Sequence, residues 1–511
     1  MPAESYDAVP YPPAPFVESH PSTMETIATV LGLDPPPIET ARVLELGCGT
    51  GGNIVPMAAA LPKASFLGID YSPRQIEQAQ QFAAAAGVTN LKLQVLSILD
   101  IEREFGTFEY ILAHGVFSWV PADVQDKVLS ICRQNLAERG VAYVSFNAYP
   151  GWHTLEWLRR MMLLHAPAIA GQDPQERVRR AREILDAVLD APRIKASPTA
   201  AMIASLMRGY DAASEAHLLH DLLEDQNHPI YFQDFVARAG SNGLQYLADA
   251  QNNGSFVEEG SSAKVKRLLN SLGGDWVRRE QYLDFMRNTT FRRALLVPAE
   301  RKIESSGMGE RIARFFALSA LVPDQRSEIS KDGPVVNFRD LTGAVRMSAG
   351  ATLTKTVLTK LAAEFPRPSR LNDVLDEAAA DLRLPSNFKA SARQRALNEL
   401  IAAWMSRAIQ FYATPPPAAA APTPRPEVWK LARYQASRND ATLTNLRHES
   451  VRLDPSDRNT IKILQFLDGT RTTEQIVDAI ASAEPAQSRQ VHAAGLQALL
   501  VTLARHALLV A

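Results

Sequence analysis

Residues 43–52 read Val43-Leu44-Glu45-Leu46-Gly47-Cys48-Gly49-Thr50-Gly51-Gly52, an apolar run leading into a glycine-packed turn. Such a turn lets a nucleoside-bearing cofactor lie against bare backbone. A Cβ at Gly47, Gly49 or Gly51 would hold the ligand away or forbid the φ angles the turn needs. Ser65-Phe66-Leu67-Gly68-Ile69-Asp70 is a second apolar run that ends on a carboxylate, 23 positions beyond Gly47. An acid about 20 residues after the glycines is placed to accept hydrogen bonds from ribose hydroxyls. The alternative is a strand–turn–helix that carries no ligand. A nicotinamide site asks for G-x-G-x-x-G with its third glycine at a helix–strand contact. The glycines here fall instead at 47, 49, 51 and 52.

The wording E-L-G-C-G-T-G, with Gly68-Ile69-Asp70-Tyr71-Ser72 later, resembles the S-adenosylmethionine site of class I methyltransferases. The resemblance implies that Asp70 binds the ribose and that the glycine loop passes beneath the methionine part. The expected cofactor set is Glu45, Gly47, Cys48, Gly49, Gly51, Asn53, Asp70, Tyr71, Gln75, Ser97, Ile98 and His114. Class I enzymes often place an Asp beside the adenine after the third strand. This chain has Ser97 there, with Asp100 three residues on, so adenine recognition is expected through Ser97 or the Ile98 backbone.

Methyl transfer from a sulfonium needs little acid–base apparatus, because the cofactor is already activated. The enzyme must place an unprotonated nucleophile in line with the methyl–sulfur bond. Aromatic faces can cradle the cation. Two stretches at strand ends offer such groups: His114-Gly115-Val116-Phe117-Ser118-Trp119 and Asn147-Ala148-Tyr149-Pro150-Gly151-Trp152-His153. The expected acceptor-site residues are Asn147, Tyr149, His114, Trp119 and Trp152. Asn147 and Tyr149 would hold a lysine ε-amine walled by Trp119 or Trp152. Each tryptophan is equally readable as a core aromatic, and His114 as a base or a structural residue.

Apolar runs at 41–46, 65–70, 91–96, 108–113 and 140–146 must position these groups, with helices expected at 53–60, 73–86 and 122–138. This βαβ rhythm predicts a Rossmann-like α/β domain, a parallel-rich sheet with helices on both faces. Ligands bind beyond the carboxyl ends of such strands. The N-terminal arm is rich in rings, and Tyr11 and His20 are candidate lid residues. His217, His220, Asp221, Glu224 and His228 recur at helical spacing. They are read as the polar face of an amphipathic helix rather than as a metal site. No metal is expected.

At 511 residues the chain exceeds one core, and roughly three or four domains are expected. The expected division is a methyltransferase domain at 1–165, a helical regulatory and dimerisation region at 166–300, a middle winged-helix-like domain at 301–412, a Pro/Ala linker at 413–426 and a C-terminal winged-helix-like domain at 427–511. A net charge of −2 argues against nucleic acid as the partner. Two cysteines form no disulfide framework and suit a reducing compartment. The acidic N-terminus lacks a signal-peptide core, and no apolar run spans a membrane, so a cytoplasmic protein is expected.

The chain as a whole resembles the bacterial methyltransferases that carry a methyltransferase regulatory domain, a group that includes the rickettsial outer-membrane-protein lysine methyltransferases. The matching text starts at Ser5-Tyr6-Asp7-Ala8-Val9-Pro10-Tyr11 and includes the glycine loop and both strand-end stretches. Tyr231-Phe232-Gln233-Asp234-Phe235, Gln281-Tyr282-Leu283-Asp284-Phe285 and Phe291-Arg292 resemble the regulatory domain, and Asp468-Gly469-Thr470-Arg471 the winged-helix-like domain. Thr289-Thr290 stands where that family's pattern carries an arginine. The resemblance implies S-adenosylmethionine as cofactor, protein lysine as a possible acceptor, and a homodimer. A small-molecule methyltransferase and a non-catalytic cofactor-binding regulator remain as alternatives.

Overall fold

The computed structural model describes residues 9, 11–168, 173–211, 215–251, 262–304, 306–324, 335–340, 343, 346–438, 440, 442–452, 454, 457–483 and 488–511. Tyr6, Asp7, Ala8 and Pro10 of the N-terminal arm lie outside them.

Five strands form the parallel part of the main sheet: β1 (Arg42–Leu46), β2 (Ser65–Asp70), β3 (Leu91–Val95), β4 (Phe108–Ala113) and β5 (Leu136–Tyr149). The apolar side chains of β1 and β4, and of β5 from Val141 to Ala148, bury on both faces, as parallel strands covered by helices require, while edge strand β3 leaves Val95 half exposed. The helices Ile54–Ala60, Pro73–Ala86 and Ala122–Gln134 connect them. The third stops at Gln134, four residues short of the expected end. Asn135 closes it by donating its side-chain amide to the carbonyls of Glu102 and Gly106, and β5 begins at once, with Leu136 paired to Phe108.

The sheet does not close at residue 165. It also contains β6 (Ile230–Tyr231), parallel to the end of β5, and β7 (Leu244–Asp249) and β8 (Phe291–Pro298). The strand order is β3-β2-β1-β4-β5-β8-β7, with β8 antiparallel to both neighbours. The region expected to be helical thus supplies the strands that cover the free edge of β5. A buried cation holds β8 in place. Arg292 bonds Glu280 and Asp284 at 2.8–3.2 Å and lies over the Phe232 ring. Helices Trp152–His165, Pro174–Asp190, Pro198–Asp211 and Glu215–Leu222 form a separate bundle, its core built from residues such as Trp152, Leu158, Met162 and Leu222.

Beyond Pro298 lie two small sheets and the helices Thr352–Glu364, Leu371–Asp381 and Ser386–Met405. The stretch read as a linker is tied to the end of the chain. Ala418 bridges Val510, and Ala419 N donates to Leu509 O at 2.9 Å. A C-terminal unit follows, with a hairpin of Thr442–Thr444 and Ser450–Arg452 and helices Arg458–Phe466, Thr473–Ala483 and Arg489–Arg505. Phe82 stacks on Tyr434 at 5.8 Å, which seats this unit on the methyltransferase domain. Among the described residues no helix is long and apolar enough to cross a membrane.

Candidate active site

Gly47, Gly49 and Gly51 have φ of 70°, 53° and 81°, the left-handed region where a Cβ is costly. A Cβ on Gly47 would lie 2.7 Å from Val116, and one on Gly51 2.8 Å from Val55. The turn is fastened to β2 from two sides. Cys48 N donates to Ile69 O, and Gly49 N donates to Asp70 Oδ2, both at 2.9 Å. Asp70 Oδ1 accepts from Ser72 N at 2.9 Å, and Ser72 caps the next helix by accepting from Gln75 N. Gln75 sits against Gly49, whose Cβ would meet its Oε1 at 3.0 Å. Tyr71 is exposed. The Cys48 side chain is buried, and burial holds its thiol well above the usual range.

At the end of β3, Leu96 N donates to Asp70 O. Ser97 Oγ accepts from Leu99 N at 3.2 Å, and Ile98 opens a short 3₁₀ turn. Both residues are half-buried beside Asp70, where an adenosine must lie if Asp70 holds its ribose.

Glu45 lies beneath the glycine turn. Its Oε1 accepts from Asn53 Nδ2 at 2.6 Å. Its Oε2 is buried with no hydrogen-bond partner among the described residues. Burial pushes its carboxyl up to about 7, with Asp70 adding to the rise and the Asn53 bond opposing it. A buried, unsatisfied carboxylate oxygen suits a cationic ligand group such as an α-ammonium. A bare backbone cradle, the Asp70 carboxylate and the buried Glu45 oxygen form a set that fits a nucleoside bearing an amino acid.

The N-terminal arm crosses this site. Phe16 stacks on His114 at 3.7 Å between ring centres, and its N–H donates to Asn53 Oδ1 at 3.0 Å. Pro13 and Ala14 press on Gly52, whose Cβ would meet them at 2.6 Å. The Tyr11 ring packs 4.7 Å from His217 and 5.9 Å from His220. His20 caps helix Pro21–Val30, accepting from Ser22 N. His114 Nδ1 lies 2.8 Å from the Tyr143 hydroxyl. Burial, aided by Arg293, lowers His114 to about 3, so it stays neutral and is a poor proton acceptor at neutral pH. This supports the structural reading of His114 over the base.

Asn147 and Tyr149 stand two apart on β5. Asn147 is buried. Its N–H donates to Ser118 Oγ and its Nδ2 to Asn227 Oδ1, both at 2.8 Å. The Asn147 carbonyl oxygen carries no hydrogen bond among the described residues. The Tyr149 hydroxyl donates to Glu156 Oε2 at 2.9 Å and is pushed up to about 12, chiefly by burial. The two side chains therefore have different commitments, with the phenol held by Glu156. Trp119 and Trp152 meet edge to face at 6.2 Å in the helical bundle's core. Thr289-Thr290 lies against this turn. Ala148 N donates to Thr290 O and Gly151 N to Thr289 O, and a Cβ on Gly151 would meet Asn288, Thr289 and Thr290 at 2.5–2.6 Å.

Glu156, Asn227 and His448 are neighbours of the site beyond those expected, while Phe16 and Ser19 belong to the ring-rich N-terminal arm from which Tyr11 and His20 are expected as lid residues. Asn227 has a local signal, a polar run that ends at Pro229. The helix with the histidines turns inward: His220 Nδ1 bonds Glu224 at 2.9 Å and Nε2 bonds Val9 O at 2.6 Å. Both His220 nitrogens are thus engaged within the protein.

Three family models match the chain: a methyltransferase domain at 44–142, a predicted methyltransferase regulatory domain at 214–298, and a PKMT C-terminal winged helix domain at 424–499. The uncharacterised protein RP789 of Rickettsia prowazekii is 31% identical over 482 residues, covering 93% of this chain and 85% of its own. A second R. prowazekii protein, RP028, is 35% identical over 243 residues, which is 48% of this chain and 96% of its own. The solved structure of PKMT2 from Rickettsia typhi superposes with a TM-score of 0.85 at 27% identity, over 98% of this chain and 100% of that one. PKMT2 has also been solved in complex with AdoHcy, with a TM-score of 0.84 to this chain. The chain belongs to the methyltransferase family that joins a methyltransferase domain to a methyltransferase regulatory domain and a PKMT C-terminal winged helix domain.

Proposed function

We propose that this S-adenosylmethionine-dependent methyltransferase transfers its methyl group to a lysine ε-amine of a protein. When bound, S-adenosylmethionine supplies an activated methyl on a positive sulfur. The glycine turn, Glu45 and Asp70 hold and orient it. The observation that carries the amine reading is the Asn147 carboxamide. Its Nδ2 is fixed by Asn227, which leaves the carbonyl oxygen to accept from an incoming amine. Trp119 follows Ser118, whose hydroxyl accepts from Asn147 N, and it would present its ring, backed edge to face by the buried Trp152, as an apolar wall for a lysine stem. The likeness to PKMT2 over 98% of the chain supports the same reading.

The proposal includes a homodimer. Trp157 and Leu164, on the helix that follows the acceptor turn, are 42% and 86% exposed, an apolar surface suited to a second copy.

The test is incubation of the purified protein with methyl-labelled cofactor and a bacterial lysate, followed by separation of protein from small molecules. Label is expected in protein. Label confined to small molecules points to a small-molecule acceptor. Cofactor binding with no label transferred points to a regulatory protein.

A further inference from the structure

Asn53, at the start of the helix after the glycine turn, joins three distant parts of the chain. Its Nδ2 donates to Glu45 Oε1 at 2.6 Å and to Ser19 Oγ at 3.0 Å. Its Oδ1 accepts from Phe16 N at 3.0 Å, and His448 Nε2 lies 2.8 Å from the same oxygen. An oxygen that accepts from a backbone N–H is a carbonyl, so His448 must carry its proton on Nε2 and donate. All four side chains, Ser19, Glu45, Asn53 and His448, are at most 5% exposed. His448 belongs to the hairpin turn of the C-terminal unit, 395 residues away from Asn53.

The backbone at His448 has φ of 61°. That conformation suits glycine or asparagine, and a ring-bearing residue there is held at a cost. The surrounding turn is built to hold it. Asn445 Oδ1 accepts from the N–H groups of Arg447 and Glu449, and Glu449 in turn accepts from Gln410 and Arg447. None of these turn bonds uses the imidazole, which is directed at Asn53 instead.

We propose that His448 is a positioning residue for the cofactor site, so that docking of the C-terminal winged-helix unit sets cofactor affinity. His448 fixes the Asn53 carboxamide, and Asn53 fixes Glu45 with one oxygen engaged and the other directed to the ligand. Linkage makes the effect reciprocal: the bound cofactor tightens the seat of the C-terminal unit. This inference concerns the cofactor side of the site and holds whatever the acceptor is.

The test uses the full chain and S-adenosylhomocysteine, with calorimetry for Kd and hydrogen exchange for residues 445–449. His448→Gly relieves the backbone but removes the donor, and it is expected to raise Kd about three- to tenfold, as loss of one hydrogen bond implies. His448→Gln keeps a donor and is expected to stay within about twofold of the wild-type protein. Ligand is expected to slow exchange at 445–449 in the wild-type protein and to lose that effect in the glycine variant. An unchanged Kd in His448→Gly overturns the proposal. So does wild-type exchange at 445–449 that is the same with and without ligand, a result that depends on no variant folding.

Discussion

The Gly49 N–H donates to Asp70 Oδ2 at 2.9 Å, so the carboxylate proposed to hold the cofactor ribose is also the clamp that shapes the glycine turn. The second oxygen accepts from Ser72 N and sets the start of the next helix. Asp70 thus links the fold to the ligand. Asp70→Ala is expected to weaken cofactor binding at least about tenfold and to lower stability by about 1–3 kcal/mol, since two backbone donors lose their partner. Calorimetric titration and thermal melting check the two effects separately.

Cofactor affinity should depend on pH through Glu45, whose carboxyl is pushed up to about 7 by burial. Below that pH the group is protonated and neutral; above it the carboxylate can face a cationic amino group. Affinity for S-adenosylhomocysteine is expected to rise about tenfold from pH 6 to pH 8. The stability of the cofactor-free protein runs the other way. The folded state holds this proton more tightly than the unfolded state, so the contribution is greatest at acid pH and is lost as pH rises through about 7. Glu45→Gln should flatten both profiles, read by titration and melting across that range.

Asn147 and Tyr149 should separate in kinetics. Asn147 offers a free carbonyl oxygen, while the Tyr149 hydroxyl is spent on Glu156. Asn147→Ala is expected to lower kcat about tenfold or more, with cofactor Kd unchanged. Tyr149→Phe is expected to have the smaller effect. Equal turnover of the wild-type protein and both variants would remove them from the acceptor site.

Arg292 neutralises a buried acidic group formed by Glu280 and Asp284, with Asp249 at 3.8 Å beside them. Arg292→Ala strands those carboxylates and is expected to cost about 3–5 kcal/mol, measured as a fall in Tm. Because both carboxyls are already pushed upward by burial, they take up protons readily once the cation is gone. The loss should therefore shrink toward acid pH.

The first four strands, the glycine turn and Asp70 were legible because each is a local pattern: an apolar run, a turn residue, a carboxylate at fixed spacing. Leu244–Asp249 and Phe291–Pro298 were not, since their strand identity comes from pairing with one another and with β5 across long separations. Arg292 also puts a charge in a buried strand, which hides the apolar pattern until Glu280 and Asp284 are seen around it. The proline-rich stretch at 413–426 reads as a spacer by composition, yet the chain's last strand-like residues pair with it. His448 has no sequence signal at all; its role exists only once the C-terminal unit packs on the glycine turn.

The proposed reaction is methyl transfer from S-adenosylmethionine to protein lysine at the Asn147 turn. The most direct measurement uses cofactor carrying a deuterated methyl, a bacterial lysate as acceptor, and tandem mass spectrometry of the labelled protein. Deuterated methyl groups are expected on lysine side chains, strongly reduced when Asn147→Ala replaces the wild-type protein. Label on another side chain, or equal lysine labelling by the variant, would contradict it.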